Sequence, residues 1–260
     1  MIAKEYNSQG KGYFVSVIMI AIFSSRQYSI LDKLIDEYLV KGKAVSSLCL
    51  NKKYKLGISS ATIRNDFKKL TEEGYLYKSH ISSGRMPTDK AWQFFVDEIF
   101  QEGDISSLMK DELKNWLLRH KRIFKEKEQL KTKIKELLKQ LVQENHSFYF
   151  CYLLKEEELV EEGLQYMFQG MNEEDFLSVD FIRSVLESLD KLGEKLRDVK
   201  ITRIPSVFVG EENPFIDSDQ FSALITSLPS FPAVLGILGP KRMPYRENIM
   251  LLKNLNDVFS

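Results

Sequence analysis

The stretch Ser59-Ser60-Ala61-Thr62-Ile63-Arg64-Asn65-Asp66-Phe67-Lys68-Lys69-Leu70-Thr71-Glu72-Glu73-Gly74 decides the reading of the fold. Serine is a preferred N-cap and glycine a common stop, so the spacing predicts a helix from Ser59 to about Glu73. Ile63, Phe67 and Leu70 recur at i, i+4 and i+7 and face a core. At about 100° per residue, the opposite face centres on Ala61, Asn65 and Lys68, flanked by Thr62, Arg64 and Lys69. Those residue types suit the major groove of DNA. A small residue permits close approach, Asn pairs with adenine and Arg with guanine through two hydrogen bonds each, and Lys meets phosphate or guanine. The hydroxyls of Ser59 and Ser60 stand at the helix N-terminus, a favourable place for phosphate. Taken alone, the same pattern also fits a plain amphipathic surface helix.

The surroundings favour the DNA reading. Upstream, Arg26 to Val40 carries an apolar stripe of Ile30, Leu31, Leu34, Ile35 and Tyr38 and reads as a helix ended by Gly42. Val45 to Tyr54 reads as a short second helix, with Ser46 or Ser47 at its cap and Leu48 and Leu50 turned inward; Gly57 marks the turn that follows. Downstream, Tyr75-Leu76-Tyr77 reads as a short strand, and His80 to Pro87 as a polar, glycine-bearing hairpin turn. Helix, short helix, turn, capped helix and hairpin is the order of a winged helix-turn-helix. Lys78, His80, Ser82, Ser83 and Arg85 then fall on the wing, near phosphates or the minor groove, with Arg85 the candidate for groove insertion. His80 equally fits a turn residue bonded to its own backbone. Thr88 to Phe100 is a further helix with Trp92, Phe95, Val96 and Ile99 on one side.

Charge follows the same division. The 260 residues carry no net charge, yet Arg26 to Lys90 holds 13 Lys+Arg against 7 Asp+Glu. A basic head and an acidic remainder suit a DNA-binding domain with a regulatory body. Cys49 and Cys151 lie far apart, which suits a reducing cytosol and excludes a disulfide scaffold. His80, His120 and His146 are scattered and form no zinc set. Tyr13 to Phe23 is apolar for 11 residues, whereas a membrane span needs about 20. The run fits the apolar core of a signal peptide, a mis-assigned start with Met19 as the true one, or a buried extra element.

From Asp104 to about Glu144 the chain reads as a long charged helical connector. Leu130, Ile134, Leu137 and Leu141 form a 4-3-4 seam for about two heptads, which fits either a coiled-coil dimer contact or a face lying on a domain core. Arg119 to Lys139 holds 9 basic and 3 acidic residues, either a solvated face or an extension of the DNA-facing surface. Beyond it, Phe148 to Leu154, Ser206 to Val209 and Ala233 to Leu238 read as strands, the last ending at Gly239-Pro240. Phe181 to Leu196 and Tyr245 to Val258 read as helices, and Lys155 to Asp175 is acidic. The expected class is α+β: an extension at 1–23, a winged helix-turn-helix at 24–100, a helical connector at 104–146 and an α+β body at 147–260.

The sequence resembles the HrcA family of heat-inducible transcription repressors. The matching run is Ser59 to Asp66, then Leu70, Gly74-Tyr75-Leu76, His80-x-Ser82-Ser83-Gly84-Arg85-x-Pro87-Thr88 and Phe95-Val96-Asp97, with Arg26, Ile30-Leu31 and Tyr38 in the first helix. Gly210-x-Glu212-Asn213 and Gly236-x-x-Gly239-Pro240-x-Arg242-Met243-x-Tyr245 look like that family's closing motifs, with Arg242 and Tyr245 buttressing a Gly-Pro turn. The resemblance implies a dimer on an inverted-repeat operator of double-stranded DNA upstream of chaperone genes, a GAF-like body, support by the GroEL chaperonin, and loss of repression on heating. This chain departs from the pattern between about Leu154 and Glu162, where much of the early body and the inserted dimerisation segment are skipped. It also departs at Gly42 to Ser47, where one proline and one glycine of the family's turn are lost.

Two other classes compete with the repressor. A winged helix that lost DNA reading and binds a partner protein is disfavoured by the presence of Arg64, Asn65 and Arg85, while a regulator that answers a different cue stays open. An enzyme is disfavoured because no nucleophile–base pair stands out and Gly163 and Gly170 are too isolated for a phosphate loop. No cofactor is implied, and the expected location is the cytoplasm.

Overall fold

The computed structural model describes residues 23–78, 84–101, 115, 130–169, 171, 178–197, 199, 202, 204–228 and 232–259. The chain divides into two units, Met1–Gly103 and Asp104–Ser260. The apolar run before Phe23, the wing tip, and most of the stretch 104–129 lie outside the described residues.

In the first unit, helix α1 spans Ser25–Lys41 and opens with a capping box between Ser24 and Gln27. Its stripe of Ile30, Leu31, Leu34 and Ile35 is fully buried. Helix α2 spans Ser47–Tyr54, capped by Ser46 through the Cys49 amide. Leu50 points into the core as expected, but Leu48 is 65% exposed. Two residues apart on a helix is about 200° of rotation, so the two leucines cannot share a face. Helix α3 spans Ser60–Glu72, and strands β1 (Leu76–Tyr77) and β2 (Met86–Pro87) pair antiparallel. Helix α4, Asp89–Gln101, follows and buries Trp92, Phe95, Val96 and Ile99. Phe23 belongs to this core too: its ring meets Tyr75 and Phe94 edge-on at 4.7 and 5.4 Å. The head therefore begins at least one residue earlier than the pattern of apolar residues indicated.

The second unit is built on a five-stranded antiparallel sheet. Helix α5, Leu130–Asn145, leads into β3 (Phe148–Leu153) and β4 (Glu158–Glu162). Helices α6 (Val179–Asp190) and α7 (Leu192–Arg197) precede β5 (Ser206–Val209), β6 (Phe221–Leu228), β7 (Ala233–Pro240) and the closing helix α8 (Tyr245–Phe259). The strand order is β4-β3-β7-β6-β5. One sheet face, with Phe148, Phe150, Phe221, Ala223, Ile225 and Val234, packs on Val185, Leu189, Leu192 and Leu196 of α6 and α7. Phe150 faces Gly236 across the β3–β7 ladder, and a Cβ there would sit 2.1 Å from the Phe150 ring. Only glycine leaves room for that ring.

The Leu130–Ile134–Leu137–Leu141 seam is not a free dimer contact. All four residues are buried within the second unit, where α5 packs on β3 and β4. A heptad seam and a helix laid on a sheet share one periodicity, which is why spacing left both open. The helix expected over Phe181–Leu196 is broken into α6 and α7 at Lys191. Gly239-Pro240 lies inside β7, with Pro240 opposite Phe221, rather than forming a turn after it. The sequence pattern predicts neither β4 nor β6. β6 is buried on both faces, and its interior polar residues obscure the pattern: Ser222 bonds the Tyr245 hydroxyl at 2.7 Å, and Thr226 accepts from Asn256 Nδ2 at 2.6 Å.

Candidate nucleic-acid interface

Helix α3 owes its orientation to both of its faces. Ile63, Phe67 and Leu70 are buried to within 1% exposure, and each fully buried side chain of this size is worth about 1.5–3 kcal/mol. Their burial turns Arg64, Asn65, Lys68 and Lys69 out to solvent, with Ala61 exposed beside them. Lys68 is held only loosely, 3.7 Å from Glu72 one turn on. At the N-terminus, Ser59 caps the helix by accepting from the Thr62 amide at 3.1 Å, and its hydroxyl meets Thr62 Oγ1 at 2.9 Å. Ser59 is thus engaged with its own helix, while the half-buried Ser60 opens the first turn.

A further contact holds α3 from the side. Asp66 lies between the outward Asn65 and the inward Phe67, yet its side chain is 2% exposed. Arg26, at the start of α1, donates from Nε to Asp66 Oδ2 at 2.8 Å and from Nη2 to Oδ1 at 3.1 Å. The hydrogen bonds and charge of Asp66 hold the Arg26 guanidinium above its ordinary pKa. This fork fixes α3 in rotation about its own axis, because a two-point contact resists twisting where a single bond would not. Arg26 and Asp66 both fall in the stretch that resembles the HrcA family; what the sequence lacked was any sign that they meet.

The wing is clamped at its root. Val45 and Arg85 exchange both backbone hydrogen bonds at 2.9 Å, an isolated antiparallel bridge that ties the segment before α2 to the hairpin. Gly84 permits this approach, since a Cβ there would lie 2.8 Å from the Ala44 carbonyl carbon. The Arg85 guanidinium is turned back into the head: Nε donates to Thr71 Oγ1 at 3.1 Å and Nη1 to the Gly84 carbonyl at 3.2 Å. In this geometry Arg85 ties the wing root to the last turn of α3 instead of reaching out as a groove-inserting side chain. Lys78 is exposed on the ascending side of the hairpin, and His80, Ser82 and Ser83 lie outside the described residues. Lys90 serves the C-terminus of α3, where it donates to the Glu73 carbonyl at 2.8 Å and sits 4.1 Å over the Tyr75 ring.

Not every lysine of the basic head faces outward unengaged. Glu37 of α1 is wholly buried and accepts from Lys41 and Lys53, each at 2.5 Å. The Tyr54 hydroxyl and Cys49 Sγ add contacts at 3.3 and 3.4 Å. Burial alone would raise the Glu37 pKa, but the bonds from Lys41, Lys53 and Cys49 outweigh it and bring it to about 2. Exposed Lys43, Lys52 and Lys55 remain on the same flank of the sequence. The composition signalled the basic surplus but could not separate lysines that hold Glu37 from those left to solvent.

The comparisons with known proteins agree on both units. A DeoR-like helix-turn-helix domain matches residues 53–82, which takes in all of α3. The HrcA protein C-terminal domain matches residues 95–249, well over half of the chain. The chain belongs to the HrcA family. Among curated relatives, the heat-inducible transcription repressor HrcA of Acetivibrio thermocellus is 41% identical over 81 residues, 31% of this chain and 23% of that protein. The HrcA of Mesoplasma florum is 37% identical over 122 residues, 47% of this chain and 33% of that protein. The matched stretches thus span no more than about a third of the curated HrcA relatives' length. A crystal structure described as that of a hypothetical protein superposes with a TM-score of 0.71, covering 91% of this chain and 98% of the other at 18% identity. That likeness shows a shared fold. Among the described residues of this HrcA-family chain, no helix is long and apolar enough to cross a membrane.

Proposed function

We propose that this HrcA-family protein is a heat-inducible transcriptional repressor that reads an inverted-repeat operator in double-stranded DNA. The observation that carries the reading is the outward face of α3. Arg64, Asn65, Lys68 and Lys69 stand exposed on a helix whose rotation is fixed by three buried apolar residues and the Arg26–Asp66 fork. Arg64 and Asn65 discriminate bases; Lys68, Lys69 and Lys78 meet phosphates; Ser60 and Thr62 stand at the helix N-terminus, where backbone amides favour a phosphate. His80, Ser82 and Ser83, outside the described residues, are further proposed DNA contacts by their resemblance to the family's motif.

An inverted repeat demands two heads, so the working form is a homodimer. The antiparallel sheet flanked by helices in the second unit supports a GAF-like regulatory body, and the family resemblance supports GroEL as the partner that keeps the repressor active in the cytoplasm. The test is binding of the purified protein to the family's inverted repeat and to scrambled DNA at physiological salt. A preference of about 10³ or more marks operator reading. Equal, salt-sensitive affinity for both would overturn the reading and leave a winged helix without sequence specificity.

A further inference from the structure

Helices α1, α2 and α3 end differently. Gly42 closes α1 and Gly74 follows α3, both in the left-handed region that suits glycine (φ 64 and 80). The C-cap of α2 is instead Lys55, with φ 45 and ψ 49. That conformation disfavours a residue with a Cβ, and glycine there would relieve it. The chain offers the lysine no partner in return. Its side chain is exposed, and among the described residues it meets no carboxylate and no hydrogen-bond acceptor. Lys52, one turn earlier, is equally exposed and free, so two like charges stand close together. A cation at a helix C-terminus does favour the helix dipole, but Lys52 and Lys53 already supply that charge in the last turn. The residues just before Lys55 are pinned. Lys53 Nζ lies 2.5 Å from Oε2 of the buried Glu37, and the Tyr54 hydroxyl donates to the same oxygen at 3.3 Å. Lys55 is thus projected from a fixed point. Leu56, Gly57 and Ile58 alone separate it from Ser59, the N-cap of α3, and four residue steps span at most about 14 Å.

We propose that Lys55 binds a phosphate of the DNA backbone beside the groove that α3 enters, and so helps position the reading helix. The inference rests on the DNA reading of α3 and adds to it a contact outside both α3 and the wing. A strained, exposed cation without a partner in its own chain is accounted for by an anion supplied from outside. The phosphates that flank the groove are the anions nearest a helix lying in it. Stability and affinity are then opposed at this one position: the lysine that strains the turn is the one that holds the DNA.

Lys55→Gly in the full-length protein tests this. Urea melts are expected to show a raised midpoint, because glycine relieves the left-handed turn. Titrations on the family's inverted repeat and on scrambled DNA, at several salt concentrations, are expected to show affinity about 3- to 10-fold weaker at physiological salt. The slope of log affinity against log salt is expected to flatten by about one unit on both duplexes, since a phosphate contact ignores sequence. Lys191→Gln, which removes an exposed charge at the end of α6, is expected to change neither affinity nor slope. Wild-type affinity and slope in Lys55→Gly would overturn the proposal. So would a lowered midpoint, which would show that the chain itself stabilises the lysine, or an equal flattening in Lys191→Gln, the mark of a general field effect. Failure of the underlying reading looks different: a wild-type protein with no preference for the inverted repeat overturns base reading by α3, while the slope on scrambled DNA still decides Lys55.

Discussion

Arg26 and Asp66, 40 residues apart in sequence, are joined by two hydrogen bonds of 2.8 and 3.1 Å. The two ends of that fork are unequal. Arg26 is about half exposed, whereas Asp66 is nearly wholly buried. Removing Asp66 leaves a guanidinium that water can rehydrate; removing Arg26 leaves a buried carboxylate without its cation, the more costly defect. Arg26→Ala is therefore expected to destabilise the head more than Asp66→Ala, and the double variant to be no worse than Arg26→Ala alone. Urea melts of the three variants decide it: additive losses would show that the two residues act independently.

The two kinds of contact assigned to α3 separate in their salt dependence. Arg64→Ala or Asn65→Ala is expected to cost about 1–3 kcal/mol of operator affinity and to relax the choice of base. Lys68→Ala is expected to weaken binding to every sequence and to flatten the salt slope by about one unit, because it releases one counterion fewer. Titrations on operator and scrambled DNA at several salt concentrations read both effects. Unchanged affinity and selectivity in all three variants would rule out α3 as the reading helix.

Glu37 makes the stability of the head depend on acid. Its folded pKa of about 2 lies below the ordinary 4.5, because Lys41 and Lys53 stabilise the charged form. A depressed carboxylate contributes stability that is complete above its unfolded pKa and is lost as the pH falls through the folded one. The wild-type protein is therefore expected to lose stability between about pH 4.5 and pH 2, and Glu37→Gln to be less stable at neutral pH with a flatter acid profile. Thermal melts from pH 7 to pH 2 test this; parallel profiles for the two proteins would remove Glu37 from the account.

The local features of the head were legible because they are set by residues close in sequence. Ser46 and Ser59 cap α2 and α3, and Ile63, Phe67 and Leu70 specify which side of α3 is buried. Long-range pairing was not. Asp66 reads as one more charge on a polar helix until Arg26 is seen beside it. Arg85 reads as a wing cation until Thr71 is seen to hold it. In the second unit, Ser222 and Thr226 broke the strand signature of β6, since a buried hydroxyl looks like a surface one unless its partners on α8, Tyr245 and Asn256, are known.

The seam on α5 gives the sharpest contrast between packing and assembly. Ile134 is fully buried, with Leu137, Leu138 and Leu141 beside it against β3 and β4. Truncation there opens a cavity in the body of the protein, so Ile134→Ala is expected to cost about 2–5 kcal/mol of folding stability. The same change is expected to leave the oligomeric state of the folded protein untouched, because the side chain is already spent on its own sheet. Denaturant melts and sedimentation on one sample separate the outcomes. A stable protein that falls from dimer to monomer would return the seam to the subunit interface; a destabilised one of unchanged oligomeric state places dimerisation on another surface.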